Sequence, residues 1–335
     1  MTNTLPTLID CIDDPAIPTL HAVLDPAALR EHLCRSLPSQ AGGVEQLQVY
    51  PLRHHAGKRC VVEITMQTRQ GSLALIGKVY AKDRSDVYKV MEEISRAGFG
   101  PSEEFRIPQP TAYLQSLQLL LQQKVEGRPA TESFLSDDKS EREAAAERCA
   151  HWLARFHAIA PPLGPSFELG TYLGLLERWF YRLASLGEPF ACKARTLYKR
   201  LEATASELHR TERCTIHGDF SHHQVIFGQN STVTVDLDNY RLADPARDLA
   251  HFMVGLKRLA LRCLGSIKAL DDPAEIFLST YAATHRSDCT TQLGFQKAAI
   301  CLEHAKHDVH KRASGWRETA EVTLDEGLRI LEVGA

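Results

Sequence analysis

This 335-residue chain lacks most of the marks of a protein built around a polymer or a membrane. Its 39 basic and 42 acidic side chains leave a formal charge of -3 with no long block of one sign, so no nucleic-acid or anionic-membrane footprint is indicated. No apolar run approaches the roughly 18 residues of a membrane span. The amino-terminal stretch MTNTLPTLIDCIDDP is acidic, without the basic flank and apolar core of a signal peptide. The nine cysteines form no CxxC pair, and their odd number fits reduced thiols in small apolar sites rather than a disulfide framework or zinc ribbon. These absences predict a cytoplasmic protein with no nucleic acid and no membrane as partner; they carry no message about oligomeric state. No repeat at solenoid or propeller period is found. What is present is a globular composition, 44% hydrophobic and 24% charged, long enough for about two compact units.

The order of local patterns gives the organisation. Residues 46–80 contain three β-rich runs, LQVYPL, CVVEITM and LALIGKVYA, separated by loops with Gly57 and Gly71, as in an antiparallel meander. An amphipathic helix follows, with Val87, Val90, Met91 and Ile94 on one stripe, ended by Gly98 and Pro101. Two more strands are expected in TAYLQ and LQLLLQQKV, running into a polar turn at Glu126-Gly127-Arg128-Pro129. Beyond residue 135 the pattern is mostly helical, interrupted by short strands in CTIHGDFSHHQVIFG and TVTVDLDNY (232–240). The expectation is an α+β chain with an extension over 1–45, a small β-rich lobe over 46–122 and a larger helical lobe over 123–335.

The chemistry concentrates in His217-Gly218-Asp219, with Gln224 five residues on, Asp236-Leu237-Asp238 twelve residues further, and then Asp244-Pro245-Ala246-Arg247-Asp248-Leu249. Phosphoryl transfer needs little more than this: a carboxylate to orient an acceptor hydroxyl and take its proton, oxygen ligands for magnesium, and a cation over the nucleotide phosphates. Asp219 can be the first, Gln224 and Asp236 the second. Lys78, inside a β-run among Leu75, Ile76 and Val79, calls for an anionic partner.

HGDxxxxQ, a DxD segment and DPARDLA, downstream of a strand lysine and a helix glutamate, resemble the aminoglycoside phosphotransferase and choline kinase-like family over about residues 46–255. That family comprises small-molecule kinases on a bilobal protein-kinase-like fold. The resemblance implies ATP and Mg2+ as cofactors and a small-molecule acceptor. It implies Asp219 as catalytic base, Asp236 as principal magnesium ligand with Gln224 beside it, and Lys78 as the lysine on the α- and β-phosphates. Glu93 is preferred over Glu92 as the partner of Lys78, because the helical wheel puts it nearer the buried stripe. Adenine is expected against the backbone from Gln122 through Gln123, Lys124 and Val125. The family pattern usually has Asn where this chain has Gln224; maltokinases share the Gln. The phosphate loop His54-His55-Ala56-Gly57-Lys58-Arg59 has a single glycine, so Lys58 or Arg59 is expected to supply side-chain charge.

Duller roles are assigned elsewhere. His217 is expected to hold the catalytic loop by hydrogen bonding, and Asp244 and Asp248 to cap the next helix. His222 and His223 point apart on extended backbone, which disfavours zinc. His304, His307 and Asp308 are read as a solvated helix face, and Trp179 and Trp316 as core residues. With a reference pKa near 3.9, Asp219 would act chiefly by holding the hydroxyl in line. Between 165 and 213 eight basic residues face six acidic ones, a balance that disfavours a polycationic acceptor. The alternatives are a nucleotide-binding pseudokinase and, more remotely, a metal-dependent hydrolase built on the histidine pair.

Overall fold

The computed structural model describes residues 12–36, 44–68, 71–208, 211–284 and 292–333. The chain divides into two compact units, Met1–Glu126 and Gly127–Ala335.

The first unit is built on a five-stranded antiparallel sheet. Its strands are β1 (Val44–His55), β2 (Arg59–Thr68), β3 (Gly71–Tyr80), β4 (Pro110–Leu114) and β5 (Leu119–Gln123), in spatial order β1-β2-β3-β5-β4. Alternation sets the register: along β2, Cys60, Val62, Ile64 and Met66 are all buried while the residues between them are partly exposed. Against them pack Ile17, Leu20, Val23, Leu29 and Leu33. The helices α1 (Leu20–Leu24) and α2 (Pro26–Ser36) thus share one core with the sheet. The amphipathic helix α3 (Ser85–Ile94) buries Val87, Val90, Met91 and Ile94, the stripe expected from its spacing. A widened turn at Ser95–Phe99 closes it, with Gly98 at φ 117°, a region that glycine enters without Cβ strain.

The second unit is mostly helical. It opens with the short strand β6 (Arg128–Pro129) and α4 (Ala130–Phe134), followed by α5 (Lys139–Ile159), α6 (Leu169–Ala184) and α7 (Phe190–Glu207). Short strands then carry the chemistry-bearing loops: β7 (Cys214–Ile216), β8 (Val225–Gly228), β9 (Ser231–Thr234) and β10 (Arg241–Ala243). β8 pairs with β9 and β7 with β10, both antiparallel. The unit ends with α8 (Ala246–Leu264), α9 (Asp271–Thr284), α10 (Leu293–Lys311) and α11 (Trp316–Val333). Its centre is an aromatic column in which Phe220 stacks at 5.6 Å on Trp152 and 5.3 Å on Phe252, and Phe252 at 4.0 Å on Phe277. Among the described residues, no helix is long and apolar enough to cross a membrane.

One strand is shorter than its alternating sequence suggests. The run 232–240 pairs only as far as Thr234; Asp236 then turns left-handed at φ 72°, and Leu237–Asn239 form a 3-10 turn. The cysteines are more varied than expected: Cys60, Cys149 and Cys301 are buried, but Cys34, Cys192 and Cys263 are exposed. Neither Trp179 nor Trp316 is a core residue; both are half-buried.

Candidate active site

Asp219 lies on the loop after β7, and the loop's shape is forced by its neighbours. Gly218 adopts φ +83°, and a Cβ there would collide with the carbonyl oxygen of Asn239, so glycine is required on both counts. The loop is clamped from α8: Asp248 accepts hydrogen bonds from the amides of His217 at 2.7 Å and Gly218 at 2.8 Å. Nε2 of His157, on α5, lies 3.1 Å from the same carboxylate, and its Nδ1 is 2.8 Å from the Tyr281 hydroxyl. Burial pushes the Asp248 carboxyl up, but the bonds and charges of His157 and His217 outweigh it and hold it below the usual range. Asp248 is therefore no helix cap, as its place in the sequence suggested; it shapes the catalytic loop. Asp244, one residue before the N-cap Pro245, meets the helix start instead, accepting from the Ala246 amide at 2.7 Å. His217 ties the loop to the next segment through Nε2 and the Val235 carbonyl, 3.0 Å apart.

Around Asp219 the expected partners assemble in part. The amide nitrogen of Gln224 is 3.4 Å from the Asp219 carboxylate, and its amide oxygen accepts from Ser221 at 3.3 Å. The Gln224 carbonyl accepts from the Val235 amide at 2.9 Å, which places Gln224 beside the residue preceding Asp236. Burial, then the negative charges of Glu303 and Asp236, push the Asp219 carboxyl up to about 7, although 41% of its side chain remains accessible. A carboxyl raised in this way differs from the reference value used for the sequence, and its rise depends in part on the negative charge of Asp236. Nδ1 of His251 stands 3.9 Å from the carboxylate, and burial, reinforced by Arg247, holds this imidazole well below its usual value.

For a divalent cation, the donor set expected from the sequence would be the Asp236 carboxylate and the Gln224 amide oxygen, hard ligands of the kind magnesium takes while keeping water and phosphate oxygens. The residues present fit it, with Gln224 turned from Ser221 or flipped about its amide. Among the described residues, no group of three or more His, Cys, Asp or Glu side chains is arranged to hold a metal. His222 instead meets the Thr131 hydroxyl at 2.7 Å and His223 the Ser221 hydroxyl, also at 2.7 Å.

The remaining expected residues belong to the first unit. Lys78 is buried on β3, between Val61 of β2 and Leu120 of β5. Glu93 differs from the expectation: its side chain is 51% exposed and pairs with Arg96 at 2.6 Å, whereas Glu92 is 34% exposed, accepts from the Tyr88 hydroxyl at 3.2 Å and also pairs with Arg96, at 3.3 Å. Lys58 is exposed in the β1–β2 turn, its amide bonded to His55. Gln123 ends β5; Lys124 forms an ion pair with Glu63 at 2.8 Å, followed by Val125.

A model of the phosphotransferase enzyme family matches residues 72–282. The chain belongs to that family. The match spans β3, the HGD loop and the Asp248 clamp, so this member carries the family's central segments on the geometry above. Among solved structures, this phosphotransferase is similar to choline kinase LicA from Streptococcus pneumoniae, at 15% identity over 92% of this chain and 98% of that one, with a TM-score of 0.60. It is also similar to macrolide 2'-phosphotransferase MphH from Brachybacterium faecium (16%, 90% and 97%, TM-score 0.55) and to an amicoumacin kinase in complex with AMP-PNP and Ca2+ (12%, 89% and 93%, TM-score 0.61). At such identities these likenesses concern the fold, here a protein-kinase-like one. No curated protein matches the chain.

Residues that the sequence did not single out include Glu303, on α10, and His251, on α8. The face read as solvated is half-buried and engaged: Asp308 binds Arg258 through two bonds of 2.6 and 2.9 Å, and His304 lies 6.5 Å, ring to ring, from His251. The recurrence of His304, His307 and Asp308 on one helical face was visible, but their burial against α8 was not.

Proposed function

We propose that this phosphotransferase moves the γ-phosphoryl group of ATP to a hydroxyl of a small-molecule acceptor, in a reaction that requires Mg2+. The observation that carries the reading is the placement of the Asp219 carboxylate on a loop fixed by Gly218, His217 and Asp248, with Gln224 3.4 Å away and the charge of Asp236 felt at the same carboxyl. Asp219 holds the acceptor hydroxyl in line and takes its proton as the new P–O bond forms and the bond to the leaving ADP breaks. Asp236 and Gln224 would hold magnesium, which when bound neutralises phosphate charge. Lys78 contacts the α- and β-phosphates, Lys58 adds charge from the β1–β2 turn, and the Gln123-Lys124-Val125 backbone lies along the adenine. The glutamate partner of Lys78 comes from α3, where Glu93 is the candidate by angle and Glu92 by burial.

Nucleotide use is supported by the AMP-PNP in the amicoumacin kinase complex, a statement about that protein which the shared fold makes reasonable here. The test is direct. Asp219→Asn is expected to remove most turnover while ATP affinity stays within a few-fold, and Asp236→Ala to abolish magnesium-dependent nucleotide binding measured by calorimetry. Normal turnover of Asp219→Asn would refute the assignment. Absence of ATP hydrolysis in the unmodified enzyme with Mg2+, despite ATP binding, would favour the pseudokinase.

A further inference from the structure

Within the helical unit, three buried polar atoms near Asp219 have no hydrogen-bond partner among the described residues: Nε2 of His251, Oε2 of Glu303, and Nε of Arg247, whose Nη1 lies 3.4 Å from the Gln296 amide oxygen. The Arg247 and His251 side chains are 7% and 6% exposed, so bulk water does not meet them. Leaving such a group buried and unpaired is unfavourable, and a folded chain that gathers several in one place has a use for them. They come from facing helices, α8 and α10. Arg247 lies over the rings of Tyr172, at 4.4 Å, and Phe167, at 5.1 Å, with Nη2 3.6 Å from the Glu303 carboxylate. Glu303 is the strongest neighbouring charge on Asp219, and His251 is in van der Waals reach of that carboxylate.

We infer that Glu303, Arg247 and His251 form the acceptor subsite beside the base, and that the acceptor is an uncharged polyhydroxylated compound bearing a vicinal diol. The inference rests on the kinase reading for the identity of the base. Each hydroxyl of a diol both donates and accepts, and it needs a mixed set in return: a carboxylate oxygen, guanidinium N–H groups and an imidazole. A cationic acceptor needs unpaired carboxylates or an open aromatic face. Here the charges of the α10 carboxylates are already offset by arginines of α8, that of Glu303 by Arg247 at 3.6 Å without a hydrogen bond and that of Asp308 by Arg258 at 2.6 Å, and the ring of Trp179 is covered by Lys306 at 4.9 Å. Glu303 acts by accepting from the hydroxyl next to the reacting one, which sets the reacting oxygen against Asp219.

The experiment has two arms on the full-length protein. Saturation-transfer NMR without nucleotide tests binding of glucose, maltose and myo-inositol against choline and kanamycin. Mass spectrometry with ATP and Mg2+ tests phosphorylation of the same compounds. At least one polyol is expected to bind and gain a phosphoryl group, with choline and kanamycin inert. In Glu303→Gln the acceptor KM should rise about tenfold to a hundredfold, the range for losing a hydrogen bond to a charged group, while the KM for ATP moves less than twofold. His251→Gln, expected to act in the same direction, covers the case in which Glu303→Gln fails to fold by circular dichroism. Preference for choline or kanamycin, no binding by any of the three polyols, or an unchanged acceptor KM in a folded variant would overturn the inference. Polyol binding that Glu303→Gln weakens, without phosphorylation, would leave the subsite standing and bring down the kinase reading instead.

Discussion

Replacing Asp248 by Asn tests whether the catalytic loop is held from α8. The wild-type carboxylate receives the amides of His217 and Gly218, with His157 Nε2 at 3.1 Å, all deep inside the unit. Asn keeps one acceptor oxygen and turns an NH2 group towards at least one of those donors. One or two bonds to a charged acceptor are lost, each about 1.5–3 kcal/mol, so the loss is roughly 1.5–6 kcal/mol, a large part of a typical total of about 5–15. Urea unfolding followed by circular dichroism reads this as a lower midpoint at constant slope, and turnover should fall at least tenfold because Asp219 loses its frame. The pH dependence has a fixed sign. The native carboxyl titrates below its ordinary value, so the unfolded chain binds more protons around pH 4 and below; the stabilisation is present above that range and is lost as pH falls through the native pKa. The variant should therefore lose less stability between pH 5 and pH 3, a window set by the reference carboxyl near 3.9. A loss under about 1 kcal/mol, with acid sensitivity unchanged, would refute the clamp.

Gly218→Ala faces both a left-handed backbone and the Asn239 carbonyl, and a destabilisation of about 2–4 kcal/mol with near-complete loss of turnover is expected; calorimetric melting beside an activity assay checks it. Lys78→Met keeps most of the buried aliphatic stem but no charge; nucleotide affinity by calorimetry should fall at least tenfold, about 1.4 kcal/mol, with little change in melting temperature. Glu92→Gln and Glu93→Gln, compared for their KM for ATP, decide which glutamate serves Lys78, the larger rise marking the partner.

The parts legible in the sequence were those written in local periodicity or short spacing. Alternation in β2 and the stripe of α3 show directly which faces are buried. The proximity of Gln224 to Asp219 was legible because five residues separate them on one loop, and the segment before Asp236 joins them through the Val235–Gln224 bond. What stayed hidden depends on contacts across long separations. Asp248 and His217 are 31 residues apart, and nothing local says that the carboxylate turns back to the loop instead of capping its own helix. The strand through 232–240 failed because the left-handed turn at Asp236 is held by its surroundings, while alternation reports only propensity. The Glu92 and Glu93 assignment turned on angle about a helix axis, which ignores the Tyr88 hydroxyl that draws Glu92 in. Glu303 lies 84 residues beyond Asp219, in a helix whose own pattern gives no hint of the meeting.

Phe220 follows Asp219 directly and is wedged among Trp152, Phe252 and Phe277. The segment proposed to perform the chemistry is thus rooted in the middle of the helical unit, unlike a surface lid that frays ahead of its scaffold. Warming or denaturant should abolish activity at the same midpoint as secondary structure, with no inactive but folded state in between, and deuterium uptake at the Phe220 amide should be as slow as that of the most protected helices.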